Sequence, residues 1–133
     1  MRLHAEDIER IAASQVGLAP CEACAPFASP GWEAFSGSVS DSTLEKLGAL
    51  WLPGDEEPTL AEHHPDGTRY WSLLAPIAPA FHPYNRCEIW QCGACQRAFL
   101  RYTEYGGYYE ERRIRALDPA RLDRTGLPEN PPG

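Results

Sequence analysis

Long apolar runs are missing from this chain of 133 residues. Its most apolar stretch, Leu73 to Phe81, is nine residues long and holds Pro76 and Pro79. Crossing a bilayer takes about 20 apolar residues, so no membrane span is predicted. The segment Met1 to Asp7 lacks the apolar centre of a secretory leader, which predicts a cytoplasmic protein. Also lacking are a phosphate-cradling glycine loop, a nucleophile elbow and a His-Glu-x-x-His pair. Without them the common nucleotide-hydrolysing, serine-hydrolase and metalloprotease chemistries have no support. An enzyme would need a polar cleft holding His63 or His82 beside Glu62. Lysine is nearly absent: Lys46 stands alone beside eleven arginines. An overall basic charge is lacking too, since the net charge is −7. Such a chain repels nucleic acid at long range. The imbalance is uneven. Met1 to Asp66 holds twelve acids against three bases, and Gly67 to Gly133 nine arginines against seven acids. A local basic face can therefore form in the second half.

What is present begins with punctuation. Eleven glycines and thirteen prolines predict much turn and loop. The length suits one domain, which we place at residues 1–127, with a Pro-rich flexible tail at 128–133. The strongest chemical signal is two Cys-x-x-Cys pairs, Cys21-Glu22-Ala23-Cys24 and Cys92-Gly93-Ala94-Cys95. In a reducing compartment paired cysteines are metal ligands more often than disulfides. The odd total of five cysteines argues the same way. Two pairs supply four thiolates, the ligand set of a structural zinc site. The small residues Ala23, Gly93 and Ala94 leave room for backbone amides to approach the sulfurs, and Gly93 tolerates an unusual backbone conformation.

Local pattern places the pairs. Residues 5–16 predict a helix, with Ile8, Ile11, Ala12 and Gln15 on one face and Gly17 as its stop. The first pair follows in a Pro-rich loop. Ser42 and Glu45 have capping-box spacing, and Leu44, Leu47 and Trp51 share one helical face, so residues 42–51 predict a second helix. Thr59–His63 and Arg69–Leu73 flank Pro65-Asp66-Gly67 and predict a hairpin. Pro76 to Tyr84 reads as an extended crossing segment. Cys87–Gln91, Ala98–Tyr105 and Tyr108–Leu117 predict a three-stranded antiparallel meander, with turns at Cys92–Cys95 and Gly106-Gly107. The expected fold class is α+β: two short helices packed on an antiparallel meander. Trp32, Trp51, Trp71 and Trp90 are expected in the core, Trp90 as a shield for the sulfurs.

A Cys-Gly-Ala-Cys turn at a strand junction, followed by a meander, resembles a zinc ribbon. That resemblance implies two knuckles facing one ion, with Cys21, Cys24, Cys92 and Cys95 as ligands, and a knuckle of the same kind in the fold. The run Arg101 to Tyr109 also resembles one found in small bacterial proteins of uncharacterised function. Between Cys24 and Cys92 lie 67 residues, where roughly 15–20 is common. Closing a loop of about 70 residues costs roughly 3.8 kcal/mol. A structural zinc site contributes on the order of 10–16 kcal/mol, so the metal prevails over that cost. Two alternatives stay open: two unmetallated pairs, or one pair joined by His63, His64 or His82. Iron is the alternative to zinc. Cys87 is expected to be a buried structural thiol. A thioredoxin-like redox role finds little support, because Gln96 onward reads as strand and not helix.

Tyr102, Tyr105, Tyr108 and Tyr109 alternate with Arg101 and Arg113 in the meander. Such a face can stack single-stranded nucleic acid or bind protein. Glu104, Glu110 and Glu111 offset much of its charge, and cross-strand pairing on a solvated sheet explains the pattern as well. A non-enzymatic protein-interaction module is the first expectation, and a nucleic-acid-binding zinc ribbon the second. No small-molecule substrate is indicated.

Overall fold

The computed structural model describes residues 2–19, 21–34, 43–105 and 110–127. Its first element is the helix α1, Ala5–Ala13. Asp7 starts it by accepting the His4 backbone N–H at 2.8 Å and the Arg10 guanidinium at 2.9 Å. Those two bonds hold its carboxyl below the usual range, and an anion there also suits the positive end of the helix. The face carrying Ile8, Ala12 and Gln15 is buried, and Gly17 follows with φ +80°. No helix among the described residues is long and apolar enough to cross a membrane.

Among the described residues five strands follow: β1 Glu33–Ala34, β2 Leu44–Ala49, β3 Glu88–Cys92, β4 Ala98–Tyr105 and β5 Glu110–Ala116. They form one sheet in the order β1-β5-β4-β3-β2, with every pairing antiparallel. The class is thus α+β, with corrections to the expected elements. Residues 44–49 form a strand and not a second helix. Leu44 lies opposite Cys92 and Ala49 opposite Glu88, with a bulge between Lys46 and Gly48. The ladder to β3 satisfies backbone groups that a short isolated helix would leave exposed. The expected hairpin at 59–73 is also absent, because neither arm is strand. Its turn does form, with Asp66 at φ 58° and Gly67 at φ 75°. The Gly106-Gly107 turn and the tail lie outside the described residues.

Alternation along the strands gives the sheet two faces. Ile89 pairs with Leu100 on one side, and Trp90 with Phe99 on the other. On the first face Leu3, Ile8, Ala12, Trp32, Ile77, Tyr84, Cys87 and Leu117 join Ile89 and Leu100 in the larger core. On the second, Phe27, Leu44, Phe99, Ile114 and Ala116 pack with Cys24 and Cys92. Among the tryptophans, Trp32 is fully in the core and Trp51 and Trp90 are half-buried, whereas Trp71 is exposed.

Gln15 joins α1 to the sheet. It is buried, and its Oε1 accepts the Ala98 N–H at 2.8 Å while its Nε2 donates to the Gln96 carbonyl at 3.3 Å. Arg97 adds a bond to the Leu18 carbonyl at 3.3 Å. The segment leading to the first cysteine pair is therefore tied to the segment leaving the second. Replacing Gln15 with Met keeps the volume but leaves the Ala98 N–H buried and unmatched, which costs about 1–3 kcal/mol. We expect Gln15→Met to lower the urea midpoint accordingly, with an unchanged slope.

Candidate metal centre

Cys21 and Cys24 sit in a tight loop held by backbone bonds. The N–H groups of Cys24 and Ala25 both donate to the Cys21 carbonyl, at 3.2 and 2.9 Å. A single helical turn at Ala25–Phe27 follows and drives Phe27 edge-on against Phe99 of β4, ring centroids 6.5 Å apart. Burying a Phe side chain contributes about 1.5–3 kcal/mol, so this contact presses the loop onto the sheet. Cys92 ends β3, and the chain reverses through Cys95. Gln96 N–H donates to the Cys92 carbonyl at 2.9 Å, and Cys92 N–H to the Arg97 carbonyl at 2.8 Å. The left-handed residue in this reversal is Gln96, φ 68°, and not Gly93. The expectation of special backbone geometry at Gly93 is corrected accordingly.

The two loops bring four sulfurs to one point. Sγ atoms of Cys21 and Cys24 lie 3.8 Å apart, those of Cys21 and Cys92 3.7 Å, and those of Cys24 and Cys95 3.4 Å. All four lie within 4.8 Å of one another. Thiolates tetrahedrally bound at about 2.3 Å would have edges of about 3.8 Å. The donor set and its spacing therefore fit a four-coordinate metal ion. Cys24 and Cys92 are fully buried, while Cys21 and Cys95 remain partly open. Trp90 packs against the same cluster.

The electrostatics point the same way. Burial and the adjacent Cys95 sulfur push the Cys24 thiol up to about 12. At Cys95 burial also acts upward, but the backbone N–H groups of Arg97 and Cys21, with the neighbouring thiols, bring it down to about 6. Four sulfurs this close cannot all ionise without a cation between them.

Among the described residues no histidine joins this group. His63 bonds Asp123 at 3.0 Å and stacks on Phe81, and His64 bonds Glu62 at 2.8 Å. His82 packs near Tyr102, where burial first, then Arg86, lowers its pKa. Cys87 lies in the other core, its thiol pushed well up by burial and donating to the Pro83 carbonyl at 3.2 Å.

The residues expected to form an aromatic binding face are split between the two sides of the sheet. Arg101 is buried on the cysteine side, its guanidinium 4.1 Å above the Trp90 ring. Tyr102 and Arg113 lie on the opposite side. Arg113 donates at 3.1 Å to the hydroxyls of both Tyr70 and Tyr102, which also bond each other. The side chain of Tyr105, and Tyr108 and Tyr109 altogether, lie outside the described residues.

Comparison with protein-family models, curated proteins and solved structures finds no match to this chain.

Proposed function

We propose that the protein is a small, non-enzymatic interaction module whose fold is fastened by one zinc ion on Cys21, Cys24, Cys92 and Cys95, in the manner of a zinc ribbon. The observation that carries this is the convergence of four sulfurs at the edge lengths of a thiolate tetrahedron. Four protein ligands leave no open coordination position, so the ion is structural and does no chemistry on a substrate. Zinc is favoured over iron because it is the usual ion of closed four-cysteine sites in reduced compartments.

The interaction role rests on the other side of the molecule. Trp71, Leu73 and Leu74 are 52%, 58% and 62% exposed within four residues of chain. The Arg113 guanidinium lies 4.7 Å over the Trp71 ring, and Tyr70 stands against that ring at 4.7 Å. An exposed Trp with an Arg guanidinium over its ring has the composition of an interface centre. Native mass spectrometry should find one zinc per chain. An iron–thiolate absorption in the visible would replace zinc by iron, and a metal-free chain would overturn the centre. A Trp71→Ser/Leu74→Ser variant that keeps its zinc and melting temperature should lose the partners that the wild type retains.

A further inference from the structure

The first loop covers only one end of the sheet's cysteine face. Among the described residues the same face continues beyond Phe99 and Ile114, through Lys46, Glu88, Arg101, Thr103 and Arg112. The chain leaving β2 rises beside it and closes a cleft of about 450 Å³. Pockets that hold small ligands are commonly about 300–1,000 Å³.

The charge of this cleft runs against that of the protein. Lys46, Arg86, Arg101 and Arg112 line it, opposed by Glu57 and Glu88. Glu88 is already engaged, by Lys46 at 2.8 Å and by the Trp90 indole N–H at 3.0 Å. Glu57 is 80% exposed and 3.9 Å from Arg86, so water screens it. A chain of net charge −7 thus gathers a net positive charge in one concave site. Arg101 is 6% exposed, its guanidinium carbon 4.1 Å from the centre of the Trp90 ring, and is largely stripped of water. The Nε of Arg86 is buried and makes no hydrogen bond. Arg101 and Arg112 make interactions of their own within the chain, so the pull on a ligand comes from the summed charge of the wall. The opposite rim is apolar: Trp51, Leu52 and Pro53. Trp51 is fixed by its indole N–H to the Glu56 carbonyl at 3.0 Å.

We propose that this cleft binds a nucleoside phosphate, the phosphate on the arginine floor and the ring against the Trp51 rim. A phosphate is drawn by the summed cationic charge of the wall, and a flat ring gains from stacking beside an indole. This site lies beyond the metal-fastened module proposed above and does not depend on it.

The test is an amide NMR titration of the zinc-loaded full chain with four probes: uridine 5′-monophosphate, uridine, inorganic phosphate and hexauridylate. The monophosphate should bind saturably with a Kd of about 1 mM or tighter, and about tenfold tighter than uridine or phosphate. Its shifts should centre on Trp51 and Arg101. Arg112→Glu and, separately, Lys46→Glu should each weaken it about tenfold while metal content and melting temperature hold. Trp51→Ala should weaken the monophosphate but not inorganic phosphate. Hexauridylate binding more than about tenfold tighter than the monophosphate would identify a single strand as the source, and equal or weaker binding a free nucleotide. The proposal is overturned by no saturable shift with the monophosphate, by equal binding of uridine, or by charge reversals that change nothing.

Discussion

Cys92→Ser should release the metal and unfold much of the second core. Cys92 is fully buried at the end of β3, so its sulfur cannot be replaced by water from outside without opening the sheet. A serine hydroxyl is a poor ligand for a soft thiolate site, and the three remaining thiols would sit crowded and partly charged. A structural zinc site contributes on the order of 10–16 kcal/mol, while the whole stability of a domain is about 5–15 kcal/mol. Losing even half of the metal term consumes most of the margin. We therefore expect native mass spectra of the variant without zinc, and a thermal transition that is shifted far down or no longer cooperative. A strong chelator should produce the same state from the wild type, and added zinc should reverse it. Cys87→Ser is the control. That thiol lies in the other core, so the variant should keep one zinc per chain. A Cys92→Ser protein that retained its ion and melted with the wild type would remove this residue from the coordination sphere.

The parts of the fold legible in the sequence are those where local pattern and tertiary environment agree. α1 shows a helical stripe because one of its faces is buried. β4 is legible because its aromatic and β-branched residues suit a strand paired on both sides. The cysteine pairs are visible because a Cys-x-x-Cys spacing is itself a sequence signal. β2 misleads for a definite reason. Its bulge between Lys46 and Gly48 interrupts the two-residue alternation, so Leu44 and Leu47 fall at a spacing that mimics one helical face. The hairpin at 59–73 fails because a turn needs only Pro65-Asp66-Gly67, whereas its arms need a ladder that no partner supplies. β1, at two residues, is too short to leave a pattern. Most hidden are the polar ties. Gln15 reads as one more member of a helical face, and nothing around it announces the bonds to Gln96 and Ala98. The splitting of Arg101 from Tyr102 follows directly from strand alternation, since neighbours along a strand face opposite ways. The cationic cleft requires the register of four strands, which the order of residues alone does not reveal.

Arg115→Ala should be the most damaging substitution outside the metal centre. Arg115 is completely buried, although a guanidinium remains charged in proteins. Its three donor groups are each used: Nε to the Pro30 carbonyl at 2.9 Å, Nη2 to the Ala75 carbonyl at 2.5 Å and Nη1 to the Tyr84 hydroxyl at 2.5 Å. Those partners come from three separate stretches of loop, and all three are uncharged. Tyr84 in turn accepts the Trp32 indole N–H at 3.1 Å, and Trp32 packs edge-on to Tyr102 at 4.9 Å. One side chain of β5 therefore anchors the chain before β1, the chain before β3 and the aromatic centre of the larger core. Truncation leaves the Pro30 and Ala75 carbonyls buried without a donor, removes one of the two donors to the Tyr84 hydroxyl, and opens a cavity the size of the lost side chain. Each unmatched group costs about 1–3 kcal/mol, and deleting a large core side chain adds about 2–5 kcal/mol. Partial relaxation and water entry reduce the sum, so a loss of about 4 kcal/mol or more is expected by urea unfolding. Arg115→Lys restores the charge but offers one ammonium in place of a planar fork. It cannot reach three acceptors held in divergent directions, and should recover less than half of the loss. Both variants should still bind one zinc where they remain folded, since Arg115 faces away from the sulfurs. An Arg115→Ala protein within about 0.5 kcal/mol of the wild type, the ordinary range for a surface change, would show that these loops are held by packing alone.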